Sequence, residues 1–193
     1  MSRPFGPLPA APVAEKRPFT DTRHGIERSD DYAWLRADNW QEVFKDTSVL
    51  DQSIRAHLEA ENAYQDAAMA DTKELQKVLF EEMKGRIKED DSTVPMPDGP
   101  YAYGSSYRKG GQQPLFQRMP RDKTAEADRT IILDGDAEAD GKAYFRIASA
   151  DHSPDHGKLL WGYDDKGSEF FRLRVRDMES RGDTGLEVEV DAA

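Results

Sequence analysis

Toward the end of the chain, hydrophobic and polar positions alternate strictly. Leu159, Trp161 and Tyr163 lead into Asp164-Asp165-Lys166-Gly167, and beyond that turn Phe171, Leu173 and Val175 alternate with Arg172, Arg174 and Arg176. A period of two belongs to strands whose two faces meet different surroundings, so the segment predicts a β-hairpin with one wet face. Strand-like runs precede it at Tyr101 to Tyr107, Pro114 to Arg118, Ile131 to Leu133 and Tyr144 to Ile147, punctuated by the turn signals Asp98-Gly99 and Lys109-Gly110-Gly111. Short strands at this spacing suit a sandwich, a barrel or a propeller. A four-stranded propeller blade takes roughly 40–45 residues, so residues 99–193 amount to about two blades. A closed propeller needs at least about four, and two alone would leave a bare strand edge and uncovered apolar positions such as Leu173 and Val175.

The first half has a different period. Leu50, Ile54 and Leu58 stand four apart, and Ala60, Ala63, Tyr64 and Ala67 continue at helical spacing. A second helix is predicted after Asp71, a candidate N-cap with Glu74 in capping-box position. Leu75, Val78, Leu79, Met83 and Ile87 lie along one stripe of it. Two such stripes predict that the helices pack on each other as core, which is favoured over any cofactor-binding role. Before them, five prolines at or before Pro18 predict an extended arm. The expected organisation is an arm over 1–20, a helical segment over 21–92 and the start of a β-propeller over 93–193. The fold class is then α+β, with a helical segment followed by an incomplete propeller.

Composition narrows the function classes. Apolar residues together with glycine, tyrosine left out, make up about 40% of the chain, short of the roughly 45–50% usual for a self-contained globular domain. The net charge of -11 opposes attraction to phosphate backbones and anionic lipid, which argues against nucleic acid and membrane partners. With no cysteine there is neither a disulfide nor a thiolate nucleophile. Met1 to Ala14 carries prolines and no continuous apolar run, unlike a signal peptide or a membrane span, so the simplest expected location is cytoplasmic.

The candidate chemistry is thin. Asp151-His152-Ser153-Pro154-Asp155-His156 gathers metal-ligand types, but Ser-Pro-Asp is a turn sequence and Pro154 breaks the helix that would align residues four apart, so a turn is favoured. Asp134, Asp136, Glu138 and Asp140 alternate as in a calcium loop. Ala139 and Phe145 stand where such a loop needs Gly and Glu, and a solvated acidic loop is the better reading. Glu89-Asp90-Asp91 reads as a wet connection, and His24 and His57 have no nucleophile near them in sequence. Neither a Gly-x-Ser-x-Gly elbow nor a glycine-rich phosphate loop occurs. No metal or cofactor is called for.

The ordered motifs say more. His24-Gly25, Arg28-Ser29-Asp30-Asp31-Tyr32-Ala33-Trp34-Leu35-Arg36, Glu59-Ala60-Glu61-Asn62-Ala63-Tyr64 and Glu82-Met83-Lys84-Gly85-Arg86-Ile87 resemble the N-terminal region of the prolyl oligopeptidase family. Asp98-Gly99-Pro100-Tyr101, Gln113 to Arg118, Leu133-Asp134-Gly135 and the Ser153-Pro154-Asp155 turn leading to Gly167-Ser168-Glu169 are similar to the oligopeptidase B branch. The resemblance spans roughly residues 18–180. It implies a serine oligopeptidase in which a propeller covers an α/β-hydrolase domain, excludes folded proteins and admits peptides, cleaved after Lys or Arg in that branch.

The family's Ser, Asp and His triad belongs to the hydrolase domain, so the resemblance places no catalytic residue in this chain, which is expected to be inactive alone. Tyr32, Trp34 and Leu35 are read as packing anchors, with Arg36 in a surface ion pair. Glu169 is the one candidate for a group facing the hydrolase domain or a peptide substrate, weighed against plain solvent exposure beside a turn. The alternative function is a non-catalytic β-rich interaction module with a helical arm, meeting its partner through an open sheet edge.

Overall fold

A computed structural model describes residues 8–191, which include one segment of helices and three antiparallel sheets. Pro4 and Pro7 of the expected arm lie outside the described residues. The chain divides into two compact units between Arg86 and Ile87.

The first unit opens with a hairpin that the helical period did not predict, β1 (Phe19–Arg23) and β2 (Ile26–Asp30). His24 and Gly25 join the strands with φ of 54° and 77°, the double positive φ of a tight hairpin turn. Three helices follow: α1 (Trp40–Lys45), α2 (Gln52–Met69) and α3 (Lys73–Gly85). Asp51 caps α2, its Oδ1 accepting from the Ser53 and Ile54 amides at 2.8 and 3.3 Å. Ile54 is the only residue of α2 that is fully buried.

Two expectations for α3 are corrected. Asp71 is not its cap: it sits inside a single 3-10 turn over Ala70–Thr72, and Thr72 precedes the helix without a side-chain cap. Nor does the α3 stripe pack as core, because Leu75, Val78, Leu79, Met83 and Ile87 are all exposed, Leu79 least at 45%. Helical period reports amphipathicity and does not identify what covers the apolar face.

The second unit is two meanders built alike. β3 (Met96–Asp98), β4 (Tyr101–Ser106), β5 (Leu115–Pro120) and β6 (Thr130–Asp134) form one four-stranded antiparallel sheet in chain order. β7 (Arg146–His152), β8 (Lys158–Asp164), β9 (Phe170–Asp177) and β10 (Asp183–Asp191) form the other, again in chain order. Gly99, at φ 52°, and Gly110, at φ 78°, make the turns read from the sequence. The strand expected at Tyr144 begins two residues later, at Arg146, leaving Tyr144 and Phe145 in the approach. The expected acidic loop is in part a single helical turn, α4 (Gly135–Ala139). Asp134 caps it through the Ala137 amide at 3.2 Å, and both Arg108 guanidinium nitrogens hold the Asp134 carboxylate at 2.9 and 2.7 Å.

One core serves both sheets. Ile132 and Leu133 of β6, Phe145, Leu159, Trp161 and Tyr163 of β8, and Met178 are buried together, with Tyr103 and Phe116 packed against them. Trp161 and Tyr163 stack at 5.1 Å, and Phe145 stacks on Tyr163 at 5.3 Å. The hairpin register corrects the expectation of a wet face: Trp161 pairs with Arg174 and Tyr163 with Arg172, so the arginines lie on the side of the buried aromatics. Leu173 and Val175, on the other face, are half-buried instead of exposed; the large exposed apolar side chains of this sheet are Leu160, Leu186 and Val188.

Burial separates the consequences of two substitutions. Leu133→Ala, at a position with no exposure, should cost about 2–5 kcal/mol from lost burial and the cavity left behind. Leu79→Asp, on the exposed stripe, should change stability by only about 0.5 kcal/mol. Urea unfolding followed by circular dichroism checks both, and a large loss for Leu79→Asp would mean that the α3 stripe is covered in solution.

Candidate functional site

Basic side chains over aromatic rings dominate the β8–β9–β10 surface. Arg174 lies 5.0 Å above Tyr163 and 5.8 Å from Trp161, and Arg176 lies 5.3 Å from Trp161. Each cation also has carboxylates. Arg174 Nε donates to Glu187 at 2.5 Å, Arg176 donates to Asp183 at 2.9 Å and to Glu138 at 2.6 Å, and Arg172 pairs with Asp165 at 3.4 Å. The ring polar atoms join in, Trp161 Nε1 donating to Asp183 at 3.2 Å and the Tyr163 hydroxyl to Glu187 at 3.3 Å. Arg174, aided by Arg172, holds the Glu187 carboxyl below the usual range. Burial pushes the Tyr163 phenol up, against the opposing arginines. With its charges this fully paired, the ladder is a structural brace and leaves no cation free for a ligand.

The β8–β9 turn carries the sequence candidate. Asp164 is 3% exposed. Its Oδ1 accepts from the Lys166 and Gly167 amides at 2.8 and 2.9 Å, and its Oδ2 from the Glu169 amide at 2.9 Å. Burial alone would raise this carboxyl, but the backbone N–H donors outweigh it and hold Asp164 below the usual range. Gly167 and Glu169 both adopt left-handed backbone, φ 73° and 61°. Such a conformation is uncommon for a residue with a side chain. Glu169 is exposed, so the turn presents one carboxylate to solvent on a backbone fixed from beneath by a buried one. Glu169 is thus exposed beside a turn, as one of the two sequence readings of it held. Sequence reading placed Asp164 in the turn but missed it as the anchor of Glu169, although an Asp two and three residues before Lys166 and Gly167 is a turn-capping signal.

A second cluster lies at the β7–β8 turn. His152 stacks on Tyr103 at 4.0 Å, and its Nε2 is 3.2 Å from Asp98. His156 lies 5.0 Å from His152, with Nδ1 2.8 Å from the Tyr103 hydroxyl oxygen. Arg118 covers Tyr101 at 4.2 Å and donates to the His156 carbonyl at 2.7 Å. The predicted turn stands: Asp155 Oδ1 accepts from Ser153 Oγ at 2.6 Å and from the Gly157 amide at 3.0 Å. Pattern alone did not show that both rings meet a tyrosine some fifty residues upstream. Among the described residues, no group of three or more His, Asp or Glu could hold a metal ion.

In the first unit Trp34 is the anchor of the Tyr32 to Arg36 motif and Leu35 is half-buried, whereas Tyr32, also expected to pack, is exposed. Trp34 Nε1 donates to the Glu15 carbonyl at 2.8 Å, Arg17 covers the Trp34 ring at 4.1 Å, and His57 meets its edge at 6.2 Å. The cation of this anchor is Arg17. Arg36, expected in an ion pair, is exposed and forms none among the described residues.

A helical segment followed by two consecutive four-stranded antiparallel meanders sharing a core defines a class of propeller-like, sheet-repeat proteins. Comparison narrows that class. Residues 11–190 match the family model for the N-terminal β-propeller domain of prolyl oligopeptidase, and the chain belongs to the prolyl oligopeptidase family. It is similar to dipeptidyl aminopeptidase BI of Pseudoxanthomonas mexicana, with 29% identity over 87% of this chain and 24% of that protein. Protease 2 of Moraxella lacunata is 25% identical over 88% of this chain and 23% of its own length. Among solved structures, oligopeptidase B from Leishmania major superposes with a TM-score of 0.80 at 24% identity, covering 93% of this chain and 26% of that one. Oligopeptidase B from Trypanosoma brucei, in a closed form with covalently bound antipain, gives 0.77 at 25% identity, covering 93% and 26%. The chain thus spans about a quarter of the length of these relatives.

The depressed Asp164 carboxyl carries a signed pH dependence. Its contribution is present above about pH 4, the ordinary Asp value, and is lost as pH falls through the lower folded value. Asp164→Asn should therefore be less stable than the parent at pH 7 by about 1–3 kcal/mol, with the difference narrowing only as pH falls below about 4, the ordinary Asp value. Urea midpoints of both proteins across that range measure it.

Proposed function

We propose that this chain supplies the helical N-terminal segment and the first part of the propeller of an oligopeptidase B-like serine peptidase that cleaves peptides after Lys or Arg. On this reading residues 1–20 are an arm, 21–92 the helical segment and 93–193 the opening part of the propeller, and the two meanders are its first two blades. The nucleophile, base and oxyanion donors lie in a hydrolase domain outside these residues. The propeller limits access to that domain, so that extended peptides enter and folded proteins do not, and the enzyme works in the cytoplasm without a cofactor. The observation that carries the reading is the family match over residues 11–190, together with a chain covering about a quarter of relatives named as peptidases.

Within that assembly Glu169 is assigned to face the hydrolase domain or the peptide. Its support is chemical: an exposed carboxylate, held in left-handed backbone by Asp164, suits a guanidinium or ammonium partner. The exposed Leu186 and Val188 on the edge strand β10 favour a second reading, a non-catalytic interaction module.

Cleavage assays separate the two. The 193-residue chain should not turn over peptides with Lys or Arg before the scissile bond. The product of a reading frame that joins it to a hydrolase domain should do so, prefer them over Ala at that position, and be blocked by a serine-directed covalent inhibitor. In that product Glu169→Gln should lower kcat/KM about tenfold, the cost of one charge-assisted contact of about 1.4 kcal/mol. Turnover by the short chain alone would sink the proposal, and equal cleavage after Ala and Arg would remove its Lys/Arg part.

A further inference from the structure

Asp-Gly dipeptides occur at Asp98-Gly99, Asp134-Gly135 and Asp140-Gly141, and the fold treats them differently. The pair has a chemistry of its own, because glycine has no Cβ to keep its amide nitrogen from the preceding side-chain carboxyl. Attack of that nitrogen on Cγ needs an amide free of other bonds and room for the aspartate to turn about its Cα–C bond. Asp134-Gly135 has neither. The Gly135 amide donates to the Pro114 carbonyl at 3.0 Å, both Arg108 guanidinium nitrogens hold the Asp134 carboxylate at 2.9 and 2.7 Å, and Gly135 is buried. Atoms of Pro114, Gln113 and Ile147 lie within 2.8 Å of where a Gly135 Cβ would stand.

Asp98-Gly99 is held in part. Asp98 is laddered to Tyr101 in the β3–β4 hairpin, and its carboxylate lies 3.2 Å from His152 Nε2. The Arg121 amide fixes the turn by donating to the Pro100 carbonyl at 2.9 Å, and a Cβ on Gly99 would come within 2.3 Å of His156 Nε2. Asp140-Gly141 has none of this. It follows α4 outside any strand, both residues are exposed, and nothing lies within 4 Å of a Gly141 Cβ. The turn around it is closed by the Lys142 amide donating to the Ala139 carbonyl at 3.1 Å. Among the described residues neither the Gly141 amide nor the Asp140 carboxylate makes a hydrogen bond.

We propose that Asp140-Gly141 is a site of spontaneous covalent modification, converting to isoaspartate in the folded protein while the other two Asp-Gly pairs stay intact. Asp140 stands at ψ 134°, which keeps the Gly141 nitrogen away from its own carboxyl. Rotation about the Asp140 Cα–C bond brings the two together and breaks only the turn bond. The nitrogen then bonds to Cγ, and the carboxyl hydroxyl leaves with the amide hydrogen as water, closing a cyclic succinimide. Solvent water reopens the ring. Addition at Cγ restores aspartate, and addition at the main-chain carbonyl gives isoaspartate, with the backbone rerouted through Cβ and Cγ. The charge is kept, and the α4–β7 connection, which joins one sheet to the next along the chain, gains one backbone atom.

Prolonged incubation of the 193-residue chain near neutral pH, followed by tryptic peptide mapping, tests this. Residues 89–108 carry Asp98 and residues 130–142 carry the other two, which electron-transfer fragmentation tells apart within that peptide. Isoaspartate should accumulate at Asp140 at least about tenfold faster than at Asp98 or Asp134, because reaction is easiest where the fewest backbone bonds must open. A succinimide, lighter by one water, should precede it at the same residue. In urea all three pairs should convert at similar rates. Asp140→Glu, at an exposed position, should remove the signal, since its longer side chain closes the ring poorly. Earlier conversion at Asp98 or Asp134, equal rates at all three in the folded chain, or an unmodified Asp140 once the unfolded chain has converted overturns the proposal. A lead for Asp140 that persists undiminished in urea overturns it too, by tracing the difference to sequence and not to the fold.

Discussion

A four-stranded meander has two faces and can bury neither by itself, and the second unit of this protein is organised by that constraint. Its answer is the shared layer of Leu133, Leu159, Trp161 and Tyr163, all at most 2% exposed. Large aromatic rings carry most of the apolar area such a thin core can gather. They also carry polar atoms that have to be satisfied once buried, which explains the company they keep. Trp161 Nε1 and the Tyr163 hydroxyl find Asp183 and Glu187 on β10, and those carboxylates in turn need Arg174 and Arg176 on β9. Burying the aromatics therefore dictates the charges on the two following strands. Arg176 carries the network back to Glu138 of α4, beside the first sheet, so the ion pairs and the apolar layer join the same two elements.

Much of this was legible in the sequence. The period-two run and its Asp-Asp-Lys-Gly turn gave β8 and β9 nearly to the residue. Strand periodicity survives because each residue alternates across a sheet whatever lies beyond it. What covers each face was not legible. Arg172, Arg174 and Arg176 read as solvent-facing because arginine usually is, but hairpin register, a property of pairing and not of one strand, set them over Trp161 and Tyr163. The α3 stripe failed in the opposite sense, looking like core and lying exposed. In both places the local pattern was right and the inferred surroundings were wrong.

The candidate site divides along the same line. Glu169 could be singled out from a family motif. Its left-handed backbone and its anchor on Asp164 required coordinates, although Gly167-Ser168-Glu169 after Asp164 contains the elements of a capped turn. The turn read between His152 and His156 is present, with His152 ending β7 and His156 inside the turn. Its chemistry stayed hidden because Tyr103 and Arg118 come from the other sheet, and no local window spans that distance.

The two turns that border β8 illustrate a division of labour that follows from what holds each one. The β8–β9 turn is fixed by a buried carboxylate taking three amide protons, an arrangement that stays ionised and intact through the neutral range. It is suited to present Glu169 in one position regardless of conditions. The β7–β8 turn is fixed within itself by Asp155, which accepts from Ser153 Oγ and the Gly157 amide, and to the other sheet by the 2.8 Å contact between the Tyr103 hydroxyl and His156 Nδ1. One strand thus connects a turn held from within to a turn that is also held by the neighbouring sheet. Leu159 and Trp161 lie on that strand in the shared core, so both turns are attached to the layer that holds the sheets together.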